Sequence, residues 1–468
     1  MARSNLYIIS DLHLCDGTAV EDFQPDDERA LVSLLFALGR SRDVTLIVNG
    51  DFIDFVQVQP RPGMWRGPAL DACEDESLEK LERVFRAHGP VFDALGRFVA
   101  LGNMLRFHVG NHDIDLLWPG VQTRLSERLG LPPAHPALTF GEAFLEAGLY
   151  VEHGHQADPV NSFPTQPAIL HPDSQGVLRL ERCWGTRFVE EFYNKIEMLD
   201  GCAMLDNVRP RMQAALIIIK HAILDRQMHA TLYAGLQVIV ETLAMLTTEQ
   251  DLSNAAAQLG VSRQVLSWLV SIAGWLGLGA AHAAGAYMAK GGGLRLAVPS
   301  LQTAYTFGMQ VRDGAQLAQF APTPDRINGR QAKSAAGGDD AAASEQPVGR
   351  RDAGDPAHQP YLQRAASIAA RHADVRAVCF GHTHQPITLD RAVDAEPGWP
   401  LPHTTARYFN SGAWVRTLNI GELSPAQLTF AYLAQSDHYR KGRDYLRVCW
   451  PNHPQIPVVE TRRWGETR

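Results

Sequence analysis

The chain has 468 residues, of which 43 are basic and 51 acidic, giving a formal net charge of −8 at pH 7. This length suits about two or three domains, or one domain with a large insertion, and the lack of a basic excess argues against a nucleic-acid partner. The six cysteines are scattered and form no CxxC pair, which suits a reducing compartment. No signal peptide precedes the first predicted strand, which starts near Asn5. We therefore expect the catalytic part in the cytoplasm.

The first part of the chain alternates strand and helix patterns. Apolar runs predict strands at 6–10, 45–49, 104–109 and 149–152. Apolar residues at helical spacing predict one helix over 26–40 and another over 76–101. This βαβαβ order is typical of an α/β core in which helices pack on a sheet.

Roughly two hundred residues interrupt this pattern, more than a connecting loop needs. We divide the chain into a first core part (1–157), a mainly helical insertion (158–320), a disordered or weakly ordered linker (321–360), a second core part (361–450) and a C-terminal tail (451–468). The uncharged stretch 264–289 favours a buried helical hairpin over a membrane span. A third interpretation is an apolar helix that dips into the membrane surface, as a lid or a membrane-facing element.

The second core part resumes the strand and helix alternation. A helix begins near Tyr361 and leads into a strand at 375–380. Further strands are predicted at 408–415 and 428–433, which would finish a second sheet or its edge. The tail after Pro451 has no clear element.

Five short motifs carry side chains that bind metals. They are Asp11-Leu12-His13, Gly50-Asp51, Gly110-Asn111-His112-Asp113, His153-Gly154 and Gly381-His382-Thr383-His384. Strand ends in an α/β sheet deliver side chains to one crevice, so these distant residues can meet. Carboxylates, imidazoles and an amide suit divalent ions such as Mn, Fe, Co, Ni or Zn. Seven ligands exceed the needs of one ion but fit two ions that share a carboxylate.

The motif series resembles the calcineurin-like metallophosphoesterases, whose pattern is DxH, GD, GNH[DE], H and GHxH. The resemblance implies an α/β fold, a four-layer αββα sandwich interrupted by the large helical insertion. It implies that one metal is held by Asp11, His13, Asp51 and His384, and the other by Asp51, Asn111, His153 and His382. It also implies that His112 is the catalytic imidazole and that Asp113 accepts a hydrogen bond from its ring.

Two residues beside these motifs leave alternatives open. His155 competes with His153 for one ligand position, but His153 directly follows a predicted strand, so we assign it the metal and leave His155 near the metal or the substrate. Asp54 has two interpretations, a hydrogen bond to a metal ligand or a cap of the turn after Phe52.

The implied activity is hydrolysis of a phosphomonoester, phosphodiester or pyrophosphate by a hydroxide that bridges two divalent ions, with Mn the favoured metal. The substrate would be a phosphorylated small molecule or a lipid-linked one, reached by peripheral contact with the inner membrane through the insertion. The segments 11–15 and 381–386 are also similar to UDP-2,3-diacylglucosamine hydrolases of lipid A synthesis. Those enzymes carry Arg where His112 stands and are about half as long. Because of these two differences, hydrolysis of UDP-2,3-diacylglucosamine is the alternative function and not the leading one. A membrane-associated or scaffold protein that reuses the fold is the alternative of another class.

Overall fold

The computed structural model describes residues 5–59, 73–158, 160–163, 170–172, 176–198, 204–209, 358–387, 397–421, 423–424, 427–451 and 454–465, with Ala214, Ile217, Ile218 and His221. Most of the predicted insertion, the stretch 264–289 and positions 321–357 of the linker lie outside these residues. Within the described ranges, no helix combines the length and apolar character needed to cross a membrane.

Fifteen strands are formed by the described residues. They are β1 (Leu6–Ile9), β2 (Thr45–Asn49), β3 (Met104–His108), β4 (Leu138–Gly141), β5 (Ala143–Glu146), β6 (Leu149–Glu152), β7 (Leu170–Pro172), β8 (Leu178–Leu180), β9 (Val208–Arg209), β10 (Ala377–Phe380), β11 (Trp399–Pro400), β12 (Arg407–Asn410), β13 (Leu418–Asn419), β14 (Asp444–Cys449) and β15 (Val458–Arg463).

The α-helices in the described ranges are α1 (Pro25–Gly39), α2 (Glu74–Ala87), α3 (Gly89–Ala100), α4 (Pro119–Arg128), α5 (Trp184–Phe188), α6 (Asn194–Glu197), α7 (Gln359–Arg371) and α8 (Phe430–Leu433). A π-helical turn, Val189–Tyr193, joins α5 to α6. Short 3₁₀ turns occur at Ile114–Leu117, His155–Ala157, Leu205–Asn207 and Ser436–His438.

Two mixed sheets form the centre of the α/β fold, which confirms the predicted class. The larger sheet has the order β15-β14-β1-β2-β3-β4, with β1 to β4 parallel and β14 and β15 antiparallel. The smaller has the order β11-β12-β10-β6-β5, with β6, β10 and β12 parallel and antiparallel strands at both edges. Two small ribbons pair β9 with β13 and β7 with β8.

Neighbouring residues of the strands face opposite sides, and the two sides pack differently. Ile8 belongs to an apolar cluster with Leu149 and Cys379 of the other sheet. The next residue, Ile9, belongs to a cluster with Leu31 of α1 and Phe92 of α3. The two sheets therefore share one core, and helices cover the larger sheet on its other side. Each such aliphatic side chain contributes roughly 1.5–3 kcal/mol through burial.

Both helices predicted in the first part of the chain are found, but one of them is divided into two. The helix predicted over 26–40 is α1, and Leu31, Leu34, Leu35 and Leu38 are buried as expected. The segment 76–101 forms two helices, α2 and α3, that meet at His88. Pro90 lies in the first turn of α3, where its missing N–H has no cost. The proline ring is incompatible with a helix interior, so α2 ends before it.

Two predictions are wrong, one in the second core part and one in the C-terminal tail. The segment 428–433 was predicted to be a strand, but Thr429 accepts a hydrogen bond from the Tyr432 N–H (3.3 Å) and starts helix α8. The tail after Pro451 was predicted to lack an element, but β15 pairs with β14 over six residue pairs. Only Val459 of β15 is buried, so this half-polar edge strand has a weak sequence pattern.

His88 generates a testable pH dependence. Its Nδ1 lies 2.7 Å from Glu28 Oε2 and its Nε2 lies 3.1 Å from Glu21 Oε2. Burial alone would lower the pKa of His88, but the two carboxylates raise it from 6.5 to about 9. The protonated ring therefore stabilises the fold fully below pH 6.5, and this stabilisation is lost as the pH rises through about 9.

We expect the free energy of unfolding to fall on His88→Gln by roughly 1–3 kcal/mol at about pH 6, and by much less at about pH 10. Urea denaturation of both proteins across this range measures the difference. A difference that stays constant with pH would contradict the role of His88.

Candidate metal centre

The motifs meet where parallel strands of both sheets end. The Asp11 N–H donates to the Gly50 carbonyl oxygen (3.2 Å), which joins the ends of β1 and β2. The His382 N–H lies 3.1 Å from both carboxylate oxygens of Asp11, a residue 371 positions away in sequence. The Gly381 N–H donates to the His153 carbonyl oxygen (2.8 Å). Main-chain contacts thus hold the motifs together across the two sheets.

The backbone at the predicted ligands is left-handed. Among the described residues, eleven that are not glycine have positive φ, and five of them are predicted metal ligands: Asp11 (55°), His13 (50°), Asp51 (51°), His382 (66°) and His384 (59°). Such conformations cost of order 1–3 kcal/mol each and persist only where the surroundings impose them. Their concentration at one crevice indicates a functional site.

Two motif glycines allow the close approach of ligand side chains. Gly50 has a φ of +82°, and a Cβ there would lie 2.5 Å from the His153 ring. A Cβ on Gly110 would overlap the Asp51 carboxylate. Any side chain at these positions would push Asp51 or His153 out of place.

All seven predicted metal residues are buried, with at most 5% of their surface exposed. Three groups of possible ligand atoms lie within 4.8 Å of one another: Asp11, His13 and His384 in the first, Asp51, His153 and His382 in the second, and His13, Asp54 and His112 in the third. The first two groups are compatible with the two ligand sets that the motif resemblance implies. The seventh residue, Asn111, adjoins the second set, because the N–H of the following His112 donates to Asp51 Oδ1 (2.9 Å).

Several ligand atoms face the crevice without a hydrogen bond. Within the described residues, His13 Nε2, His153 Nε2 and Asn111 Oδ1 are buried and unpartnered. Both imidazole nitrogens approach the same oxygen, Asp51 Oδ2, at 3.8 Å from His13 and 3.1 Å from His153. A ring lone pair directed at a carboxylate oxygen requires a proton or a metal ion between them. The buried His and Asp groups can therefore hold metal ions.

The charges of the crevice favour a cation. Burial alone would raise the pKa of Asp51, but His153 and His112 hold it well below its usual range. Burial likewise opposes the effect of His384 on Asp11, whose pKa falls to about 2. Burial would lower the pKa of His153, yet Asp51 raises it to about 10. Both carboxylates thus stay charged, and their negative charge favours a cation in the crevice.

Hydrogen-bond acceptors fix three of the four ligand imidazoles. The contacts are His13 Nδ1 with Asp54 Oδ2 (2.7 Å), His153 Nδ1 with Asn49 O (2.8 Å) and His382 Nε2 with Asp158 Oδ2 (3.2 Å). An acceptor holds the ring hydrogen on that nitrogen and leaves the other nitrogen's lone pair for a metal. His384 differs, because its Nδ1 lies 3.1 Å from Arg209 Nη2.

The role predicted for Asp113 is wrong, and Asp54 takes it. Asp113 accepts hydrogen bonds from the main-chain N–H groups of Gly110 (2.6 Å) and Phe52 (2.8 Å). Asp54 Oδ2 lies 2.8 Å from His112 Nδ1, and the same oxygen contacts His13. Asp113 is turned toward the two loops that carry Asp51 and Asn111, and its carboxylate anchors them instead of the ring.

The contacts of Asp54 agree with both interpretations of its place in the sequence, a hydrogen bond to the predicted ligand His13 and a turn cap. Besides its two imidazoles, Asp54 accepts a hydrogen bond from the Gln57 N–H through Oδ1 (2.8 Å), as a turn cap does. Burial alone would lower the pKa of His112, but Asp54 and Asp51 raise it to about 9. The place of Asp54, three residues after Asp51, is a sequence signal that could have identified this role.

A cavity of about 110 Å³ lies beside His153. One part of its wall is apolar and includes Ile114, Leu117 and Phe163, whereas His155 and the paired Glu152 and Arg364 give it a polar part. His155 lines this cavity and belongs to none of the groups of possible ligand atoms. It therefore lies next to the candidate centre.

No protein-family model matches the chain, and no curated protein matches it. The candidate centre is therefore defined by the geometry of its own side chains.

Asp54→Ala should weaken the binding of Mn²⁺ about 10- to 100-fold, because His13 loses the acceptor that orients it. Asp93→Ala is the matched comparison, since Asp93 is an exposed carboxylate of α3 that pairs with Arg128, and it should leave the affinity unchanged. Isothermal titration calorimetry on the two purified variants measures both. An Asp54→Ala protein that binds Mn²⁺ like the unmodified chain would refute the role of Asp54.

Proposed function

We propose that this chain is a dinuclear metal-dependent phosphoesterase of the calcineurin-like metallophosphoesterase type. The observation that carries the proposal is the approach of one imidazole from each ligand set, His13 and His153, to the same oxygen of Asp51. A carboxylate in this position suits a bridge between two cations. The packing also supports a four-layer αββα core, because α1 and α3 cover one sheet and α7 packs on the other.

The assigned residues suit two cations with N and O ligands, of which Mn²⁺ is one. Asp11, His13, Asp51 and His384 would hold one cation, and Asp51, Asn111, His153 and His382 the other. Bound there, two divalent cations would neutralise phosphoryl oxygens and supply hydroxide at neutral pH.

His112 is the residue suited to protonate the leaving oxygen. Asp54 holds its Nδ1, so the proton available for transfer is on Nε2. Burial opposes the charge, but before any cation binds Asp54 and Asp51 raise the pKa of His112 to about 9. A protonated imidazole held in one orientation is an effective general acid.

One observation favours a second candidate, a hydrolase of the UDP-2,3-diacylglucosamine type. The cavity beside His153 has the apolar residues Ile114, Leu117 and Phe163 in its wall, which suit an apolar part of a substrate. Comparing acylated and deacylated UDP-glucosamine as substrates tests this candidate. A strong preference for the acylated compound over simple phosphoesters would favour it.

We expect the chelated protein to be inactive on p-nitrophenyl phosphate and its bis ester, and Mn²⁺ to restore hydrolysis. Asp51→Asn should abolish the restored activity and lower the bound Mn²⁺, because the bridging charge serves both sites. Absorbance of p-nitrophenol and metal analysis measure these effects. Activity that survives complete chelation would contradict the proposal.

His112→Ala should lower turnover about 10²- to 10⁴-fold, the usual contribution of a general acid. The bound Mn²⁺ should stay unchanged, because His112 is assigned to neither cation. Steady-state kinetics with metal analysis of the same samples tests this. Unchanged turnover at full metal content would exclude His112 from the reaction.

A further inference from the structure

The ligand imidazoles differ in the partner of their second ring nitrogen. His13, His153 and His382 each have an acceptor there, from Asp54, the Asn49 carbonyl and Asp158. The corresponding partner of His384 is Arg209, whose Nη2 lies 3.1 Å from Nδ1. A guanidinium has only donors and keeps its charge at every accessible pH.

A donor at this position opposes metal binding by His384. A neutral imidazole that accepts a hydrogen bond at Nδ1 carries its hydrogen on Nε2. That Nε2 lies 3.3 Å from Asp11 Oδ1, in the set that would hold a cation. Binding a cation at Nε2 requires the hydrogen to move to Nδ1, where it would face the N–H of Arg209. The Arg209 contact and the cation at His384 therefore exclude each other.

We propose that Arg209 selectively weakens cation binding at the set Asp11, His13 and His384, so that the two sites of the centre fill with unequal affinity. This inference rests on the proposed dinuclear centre. The positive charge of Arg209 adds electrostatic repulsion to the loss of the hydrogen bond. At the other set, His153 and His382 both have acceptors, which strengthen their binding.

Arg209 is held firmly in its position. It is 8% exposed, and its Nη1 donates to the carbonyl oxygens of Asp206 (2.7 Å) and Val208 (3.2 Å). It belongs to β9, which pairs with β13 of the second core part. Because β9 lies in the segment predicted to be the insertion, cation occupancy at His384 is coupled to the position of that segment.

The test is a titration of the full, metal-free chain with Mn²⁺, followed by calorimetry and by electron paramagnetic resonance. The unmodified protein should bind two ions with dissociation constants that differ about tenfold or more, since Arg209 affects one site only. Arg209→Met removes the charge and the donors at similar length, and should tighten the weaker site about 10- to 100-fold. A merely structural role would predict a loss of affinity instead.

Two controls separate charge from packing. Arg209→Lys keeps the charge and a donor, so the weaker site should stay weak. Arg86→Gln removes one charge from the exposed face of α2 and should change neither site. Equal affinities in the unmodified protein, or an Arg209→Met protein whose weaker site is unchanged or weaker still, would overturn the inference. If Arg209→Met does not fold, the affinities of the unmodified protein decide alone.

Different experimental results would contradict the role of Arg209 and the proposed phosphoesterase activity. Two unequal sites that shift in Arg209→Met, without hydrolysis of any phosphoester, would contradict the phosphoesterase and leave the role of Arg209 standing. Metal-dependent hydrolysis by a protein with two sites of equal affinity would support the phosphoesterase and contradict the role of Arg209.

Discussion

The structure of the crevice depends on two carboxylates, Asp11 and Asp51, that are almost completely buried and still charged. An unpaired buried charge costs several kcal/mol, so each carboxylate needs donors from its surroundings. Asp11 receives the N–H of His382, and Asp51 receives the N–H of His112. These donors come from motifs far apart in sequence. The two charges therefore tie the beginning and the end of the chain to one site, and they make it receptive to cations.

This arrangement requires a rigid support, because the predicted ligands adopt unfavourable backbone conformations. Five of them have left-handed φ values, which together cost of order 5–15 kcal/mol. The parallel strands that precede them are fixed by the core between the two sheets, where Ile8 and Val151 are completely buried. Packing of this kind supplies the free energy that keeps the turns after β1, β2 and β10 in place.

The sequence was sufficient for the strand ends, the identity of the residues that gather in the crevice and the main helices, because each is encoded locally by residue type and spacing. It was insufficient where the outcome depends on tertiary contacts. Asp113 adjoins His112 in sequence, but the turn from Asp51 to Asp54 brings a different carboxylate to the ring. The edge strand β15 has one buried residue, so its pairing with β14 determines its structure more than its own pattern does.

The described part of the segment after residue 157 forms part of the candidate metal centre. Asp158 contacts His382, Arg209 contacts His384, and Asn161 Oδ1 accepts a hydrogen bond from Asn111 Nδ2 (3.3 Å). The contact with Asn161 leaves Asn111 Oδ1 as the atom available to a metal. Three predicted ligands are thus oriented by residues between 158 and 209. This segment and the centre must form together, because without the segment Asn111 and His382 would lose the partners that select their metal-binding atoms.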